Sequence, residues 1–166
     1  MPCSLSVATS GNCGNRFDDA TAILTGDALL TQAFMVLAEA KEVSEPRRRQ
    51  VIAAVARAAG AFGMVGGQAA DLKHQKKKVK LDELSRINAL KTGCLITASC
   101  EAGALWAGAG PGAVRQLKRY GQEVGFLFQL VDDIIDGDGY VPLLGARKTY
   151  ELAAKLRDRA KTAVRP

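Results

Sequence analysis

Apolar side chains recur along most of this chain at intervals of three and four residues. This spacing gathers them on one face of an α-helix, whereas the two-residue alternation of a half-buried strand extends over no useful length. The pattern predicts helices over residues 20–40, 44–64, 81–105, 111–136 and 147–164. We therefore expect an all-α fold.

Prolines and glycines mark where these helices begin and end. Pro46 and Pro111 each fall in a predicted first turn, where the missing N–H removes no helical hydrogen bond, and Gly137 stops the fourth helix. Residues 1–16 lack a regular pattern and are expected to be a loop or disordered. No internal repeat or domain boundary is visible, so residues 1–166 are expected to form a single domain.

The composition is that of an ordinary globular protein, with 48% hydrophobic and only 5% aromatic residues. Small aliphatic side chains suit closely packed helices. The four cysteines form no CxxC pair and His74 is the only histidine, so a zinc site has little support. No apolar run approaches the roughly 20 residues of a membrane span, and the N-terminus lacks the pattern of a secretory signal. We expect a cytoplasmic protein without a membrane span.

The net charge of +6 is compatible with several kinds of anionic partner. Nucleic acid, anionic lipid and polyanionic small molecules all attract a basic protein. Much of the excess charge lies in the lysine-rich stretch 73–80, which a solvated loop explains best because charge runs are usually exposed. Without interleaved aromatic residues or a helix-turn-helix pattern, nucleic-acid binding is not expected.

Three aspartates cluster at the end of the fourth predicted helix: Asp132, Asp133 and Asp136. Asp132 and Asp136 are four residues apart and so share one face. Carboxylates are disfavoured at a helix C-terminus, because that end carries partial negative charge and like charges at this spacing repel. A divalent cation would offset the repulsion, and Mg²⁺ typically takes one or two carboxylates together with substrate phosphates. A solvated acidic helix end explains the DDxxD pattern alone at least as well.

Five segments of the chain resemble, in the same order, the motifs of a known enzyme family. They are Ala22–Leu30 (AILTGDALL), Gly63–Leu72 (GMVGGQAADL), Leu81–Leu84 (LDEL), Leu90–Gly93 (LKTG) and Phe128–Asp136 (FQLVDDIID). The last resembles the second aspartate-rich motif of the trans-prenyltransferases, the polyprenyl diphosphate synthase family. Five ordered motifs are far more specific than any single one. The resemblance is closest to bacterial short-chain enzymes that make farnesyl or geranylgeranyl diphosphate.

The resemblance implies a helical bundle of the isoprenoid synthase type with a deep apolar cavity between helices. Members of the family join isopentenyl diphosphate to an allylic diphosphate in a reaction that depends on Mg²⁺. Metal and basic residues stabilise the leaving diphosphate in a site that excludes water, and isopentenyl diphosphate attacks the allylic cation that results. The family usually forms homodimers, so we expect self-association.

Carried over by position, the resemblance implies roles for eight residues. The expected magnesium ligands are Asp132, Asp133 and Asp136. The expected substrate-binding residues are Lys91, Thr92, Gln129, Gln68 and Asp71. Lys91 would contact the allylic diphosphate as a point charge, with Thr92 beside it. Gln129 would line the same site near the reacting carbons, so these three are also the expected catalytic residues.

The chain departs from the family pattern in its first residues. Residues 2–17 stand where the family carries its first aspartate-rich motif, but they contain no carboxylate, and the earlier helices have no counterpart. We therefore expect a domain truncated at its N-terminus, which lacks part of the metal-binding set. Two readings remain open: a prenyltransferase or its remnant, and a non-catalytic subunit that pairs with a full-length prenyl diphosphate synthase.

Overall fold

A computed structural model describes residues 18–74 and 79–165, which form helices and, within those ranges, no strand. The helices are α1 (Asp19–Glu39), α2 (Glu45–Ala59), α3 (Met64–His74), α4 (Leu81–Asn88), α5 (Cys94–Trp106), α6 (Pro111–Asp136), α7 (Tyr140–Leu144) and α8 (Ala146–Ala163). A π-helical segment, Ala89–Gly93, joins α4 to α5. The prediction of an all-α fold is confirmed.

The chain divides into two compact units, Met1–Glu42 and Val43–Pro166. In the first unit, the Asp18 carboxylate accepts hydrogen bonds from the Thr21 backbone N–H at 2.8 Å and from its hydroxyl at 3.0 Å, and so caps the start of α1. No residue of α1 is buried, although the helix is strongly apolar; Leu24, for example, is 66% exposed. A contiguous apolar surface of this kind is typical of an interaction face.

The core of the second unit lies where α6, α7 and α8 meet. Leu130, Tyr140 and Leu156 are buried together there. The buried carboxylate of Glu123 on α6 also forms an ion pair with the Arg159 guanidinium on α8. The Arg159 Nη2 lies 2.5 Å from the Glu123 Oε1. Burial of these apolar side chains holds α8 against α6, and the ion pair joins the same two helices.

Two glycines let neighbouring helices approach the π-helical segment. A Cβ at Gly67 on α3 would overlap the backbone nitrogen of Lys91. A Cβ at Gly125 on α6 would lie 2.8 Å from the Gly93 Cα, which is closer than real Cβ contacts. Because only a hydrogen atom fits at both positions, α3 and α6 come within backbone contact of the segment that carries Lys91 and Thr92.

The helices agree with the hydrophobic pattern except at three places. The helix predicted over 44–64 ends at Ala59, and the chain continues as α3 after a turn. The helix predicted over 81–105 contains the π-helical segment, and α7 is too short to give a periodic pattern. Residues 1–16, expected to be a loop or disordered, lie outside the described residues, as do residues 75–78 of the lysine-rich stretch.

Among residues 18–74 and 79–165, two helical stretches are long and apolar enough to cross a membrane by length and composition alone. They are Asp19–Glu39, with a mean hydropathy of 1.5, and Glu45–His74, with 1.3. This qualifies the expectation that no apolar run approaches the length of a membrane span. Neither is a clear span, because core helices of non-membrane proteins meet the same criterion, and 28% of the apolar window in the second stretch is buried within the protein.

Candidate active site

Lys91 and Asp71 form an ion pair between the π-helical segment and α3. The Lys91 Nζ lies 2.8 Å from the Asp71 Oδ2, and the two side chains are 33% and 31% exposed. A lysine ammonium has three donors, so this single contact leaves capacity for an anion. Gln68, the remaining expected substrate contact on α3, is half-buried three residues before Asp71, a spacing that places it on the same helix face.

Thr92, Gln129 and Asp133 form a chain of hydrogen bonds from the π-helical segment to α6. The Thr92 hydroxyl donates to the Gln129 Oε1 at 3.3 Å, and the Gln129 Nε2 donates to the Asp133 Oδ1 at 2.8 Å. Gly125 lies about one turn before Gln129 on α6, and Gly93 directly follows Thr92. The close approach of the two glycines therefore brings the bonded side chains together. The structure thus joins three expected site residues directly.

Asp133 is the most enclosed of the three aspartates, with 3% of its surface exposed. Its second oxygen, Oδ2, accepts a hydrogen bond from the Tyr140 backbone N–H at 2.8 Å. This contact requires Gly139, because a Cβ there would overlap the Asp133 carboxylate and its φ of +52° disfavours side chains. Burial raises the pKa of Asp133, hydrogen bonds from Gln129 and Tyr140 oppose the rise, and the neighbouring aspartates add to it.

The other two aspartates of the cluster, Asp132 and Asp136, are exposed. They share one face as their spacing predicts, whereas Asp133 is directed into the protein. Within 18–74 and 79–165, no three His, Cys, Asp or Glu side chains are grouped so that they could hold a metal ion together. The magnesium set therefore stays a prediction: Asp132 and Asp136 are available on the surface, and both Asp133 oxygens are already hydrogen bonded.

A mainly apolar cavity of about 1190 Å³ opens beside this network. Its walls come from α2, α4, the π-helical segment, α5 and α6, and small side chains such as Ala54, Ala58 and Ala98 form much of the lining. Along α6 the lining runs from Pro111 to Gln129, which corresponds to a helical rise of roughly 27 Å. Gln129 thus belongs both to the cavity and to the hydrogen-bond chain that leads to Asp133.

Two neighbours of these residues, Tyr140 and Ser85, were not predicted from the sequence. Tyr140 is fully buried, its backbone binds Asp133, and its hydroxyl donates to the Ser85 Oγ at 2.9 Å. These contacts link α7 to α4 across 55 residues of sequence, so no local pattern could indicate them. The available signal was the Gly-Asp-Gly turn before Tyr140, which predicts a change of direction immediately after the acidic cluster.

Comparison with known proteins identifies the class to which this fold and site belong. The sequence profile of the polyprenyl synthetase family matches residues 10–142, which is more than half of the chain. The chain therefore belongs to the polyprenyl synthetase family, the trans-prenyltransferases. It is 46% identical over 139 residues to farnesyl diphosphate synthase from Escherichia coli, covering 82% of this chain and 46% of that protein. It is 41% identical over 131 residues to the farnesyl diphosphate synthase of Geobacillus stearothermophilus, covering 78% and 44%.

Solved structures of prenyl synthases share the fold. A farnesyl/geranylfarnesyl diphosphate synthase from Zymomonas mobilis superposes with a TM-score of 0.83 at 40% identity, covering 90% of this chain and 55% of that one. A geranyltransferase from Helicobacter pylori, solved with magnesium and isoprenyl diphosphate, gives 0.81 at 28% identity, covering 89% and 55%. The isoprenoid synthase fold is confirmed, and the chain spans about half the length of the relatives it matches.

Proposed function

We propose that this chain acts in isoprenoid biosynthesis in the cytoplasm, as a prenyltransferase that condenses isopentenyl diphosphate with an allylic diphosphate. The observation that supports this most directly is the placement of Thr92, Gln129 and Asp133 in one hydrogen-bond chain at the edge of a large apolar cavity. A prenyl diphosphate has the matching shape, because it joins a long hydrocarbon to a strongly charged head. The cavity suits the hydrocarbon, and the neighbouring polar residues suit the head.

The proposed magnesium ligands are Asp132, Asp133 and Asp136. Oxygen donors fit Mg²⁺, which when bound would supply positive charge to the departing diphosphate. Exposed Asp132 and Asp136 can contribute oxygens directly, whereas Asp133 has to share its oxygens with Gln129 and Tyr140. We propose that the hydrogen bonds of Asp133 also fix the end of α6, and so the direction in which its two neighbours project.

Lys91 is the proposed cationic contact for the diphosphate. Its ion pair with Asp71 orients the ammonium group, and the partial exposure of both side chains leaves the group open to an anion. Thr92 and Gln129 offer hydroxyl and amide groups next to the cavity, where they could orient the allylic head. Gln68 and Asp71 complete the proposed substrate contacts from α3.

A second candidate function is that of a non-catalytic subunit that pairs with a full-length prenyl diphosphate synthase. The observation that favours it is α1, an apolar helix in which no residue is buried and Leu24, Leu29 and Val36 are more than half exposed. The same surface would also support a homodimer. Both candidates belong to the same family and differ in whether this chain turns over substrate without a partner.

The deciding experiment incubates the purified chain with isopentenyl diphosphate, an allylic diphosphate and Mg²⁺, with and without a full-length homologue. Product from the chain alone supports the prenyltransferase, and an altered product distribution only in the mixture supports the subunit.

Titration calorimetry tests the proposed metal site directly. Asp132→Ala should weaken Mg²⁺-dependent diphosphate binding, whereas Asp158→Ala, at an exposed aspartate on α8, should not. Equal affinity of Asp132→Ala and the wild type would contradict the proposed metal site.

A further inference from the structure

The last helix, α8, and the residues directly after it carry most of the net positive charge of the protein. Residues 147–165 contain seven lysine and arginine side chains and two carboxylates, a net charge of +5. The rest of the chain, including the lysine-rich stretch 73–80, contains sixteen lysines and arginines and fifteen carboxylates, a net charge of +1. Charge of one sign concentrated on one element gives that part of the surface a positive potential.

The fold directs these cations towards solvent. Thr149, Ala153, Leu156 and Ala160 are buried at spacings of three and four residues, so one side of α8 packs against the protein. The seven lysines and arginines occupy other positions, and all of them are exposed. The outward side of α8 and the residues after it, 147–165, therefore form a basic surface, which we call the α8 face.

Ion pairs engage only part of the α8 face. Three of its arginines form pairs: Arg147 with Glu151, Arg157 with Asp158, and Arg159 with Glu123 of α6. The first two pairs lie on the surface, where such pairs contribute little because water and salt screen them. Lys148, Lys155 and Lys161 form no ion pair with any residue in 18–74 or 79–165. These three ammonium groups are therefore available to an external anion.

Exposed apolar side chains lie beside the cations. Tyr150 is 60% exposed and Val164 is 46% exposed. Tyr150 precedes Lys161 by eleven residues and Val164 follows it by three, spacings that place all three on one side of the helix. Aromatic and aliphatic side chains next to lysines suit the boundary between lipid headgroups and acyl chains. The phosphate backbone of a nucleic acid would attract the lysines but offers no apolar layer to Val164.

We propose that the α8 face binds the surface of a bilayer that contains anionic phospholipids. The lysines and arginines contact the headgroup phosphates, and Tyr150 and Val164 lie at the boundary with the acyl chains. The helix rests on the bilayer and does not cross it, because its buried side stays packed against the protein. This binding goes beyond the proposed function and does not depend on turnover of substrate.

The test measures cosedimentation of the protein with vesicles of phosphatidylcholine and phosphatidylglycerol in equal amounts, and with vesicles of phosphatidylcholine alone. We expect the wild type to bind the anionic vesicles and to bind them more weakly as salt is added. Each basic residue near such a surface contributes about 1 kcal/mol, or roughly fivefold in affinity. The combined variant Lys148→Gln, Lys155→Gln and Lys161→Gln should therefore lose roughly a hundredfold, and Tyr150→Ser should weaken binding severalfold.

Arg49→Gln, Lys73→Gln and Lys80→Gln combined are the matched control. This control removes the same charge from exposed positions on α2, on α3 and directly before α4, and it should change affinity far less. Equal losses in the two triple variants would overturn the proposal, because the net charge rather than the α8 face would then explain binding.

The wild type alone can also overturn the proposal. Failure to bind the anionic vesicles would do so, as would binding that salt does not weaken or that phosphatidylcholine alone supports equally well. Duplex DNA is the remaining comparison. Tight DNA binding that the α8 triple variant loses, without vesicle binding by the wild type, would assign the α8 face to nucleic acid instead.

Discussion

Asp133 lies near the C-terminal end of α6 with each carboxylate oxygen bound to a different part of the fold. One oxygen accepts from Gln129 on the same helix, and the other accepts from the backbone of Tyr140 at the start of α7. Exposed Asp132 and Asp136 have no comparable enclosure. The DDxxD pattern therefore contains two kinds of aspartate: a buried one that joins α6 to the start of α7, and two that are exposed.

We predict that the stability of the wild type relative to Asp133→Asn decreases as pH rises. Burial raises the pKa of Asp133 above that of an unfolded aspartate, so the folded state holds its proton more tightly. The resulting stabilisation is fully present below the unfolded pKa of about 3.9, and is lost as pH rises through the folded pKa. Urea denaturation of both proteins over this pH range, with EDTA present to remove divalent ions, measures the difference.

Asp158→Asn provides a control of opposite sign. The hydrogen bond from Arg157 lowers the pKa of the exposed Asp158 carboxylate. The stabilisation from Asp158 is therefore present above the unfolded pKa and is lost as pH falls through the folded pKa.

The Asp133 prediction would be contradicted if the stability of the wild type and of Asp133→Asn changed with pH in the same way. Such a result would show that the Asp133 carboxylate is not destabilised by burial.

At the scale of elements, the contact between α6 and the π-helical segment sets the geometry of the site. We predict that Gly125→Ala destabilises the protein by about 1–3 kcal/mol, as overpacking typically does, because the new Cβ would press on the Gly93 Cα at 2.8 Å. The helices have to separate, which also lengthens the contact between Thr92 and Gln129. Urea denaturation measures the loss of stability, and titration calorimetry with a prenyl diphosphate measures the accompanying loss of affinity.

Gly112→Ala is a matched control in the first turn of α6. A Cβ at Gly112 meets nothing within 4 Å, so alanine should leave stability unchanged or raise it by up to about 1 kcal/mol through its better helix propensity. If Gly125→Ala and Gly112→Ala changed stability by the same amount, close packing of α6 on the π-helical segment would be excluded as the cause of the change.

The contact between α6 and the π-helical segment shows which features the sequence could predict and which it could not. The long helices followed from the spacing of apolar residues, and the pairing of Lys91 with Asp71 involves residues that the family motifs had already indicated. The π-helical segment was not predicted, because such single turns inside α-helices are rare. The contact between Asp133 and Tyr140 also depends on tertiary structure, so the burial of Asp133 could not be inferred from local sequence.

At the scale of the whole molecule, the chain spans about half the length of its relatives and divides into two compact units. The second unit has a core of its own around α6, α7 and α8. The described part of the first unit is α1 with its flanking residues, and none of the residues of α1 is buried. Burial of an apolar helix stabilises a protein by roughly 25 cal/mol for each Å² removed from water, so this helix has the most to gain from association.

We predict that Leu24→Glu weakens self-association, or pairing with a full-length homologue, by at least about tenfold. A tenfold change in the association constant corresponds to roughly 1.4 kcal/mol. Burial of an unpaired charged side chain at an apolar contact costs more than this. Leu24 belongs to the first unit, whereas the core of the second unit consists of residues from α6, α7 and α8, so the change should not unfold the second unit. Sedimentation velocity over a range of concentrations measures the association constant. Gln32→Glu adds the same charge at an exposed polar position of the same helix and should have a smaller effect. If both variants associate as the wild type does, the apolar surface of α1 is not the contact surface.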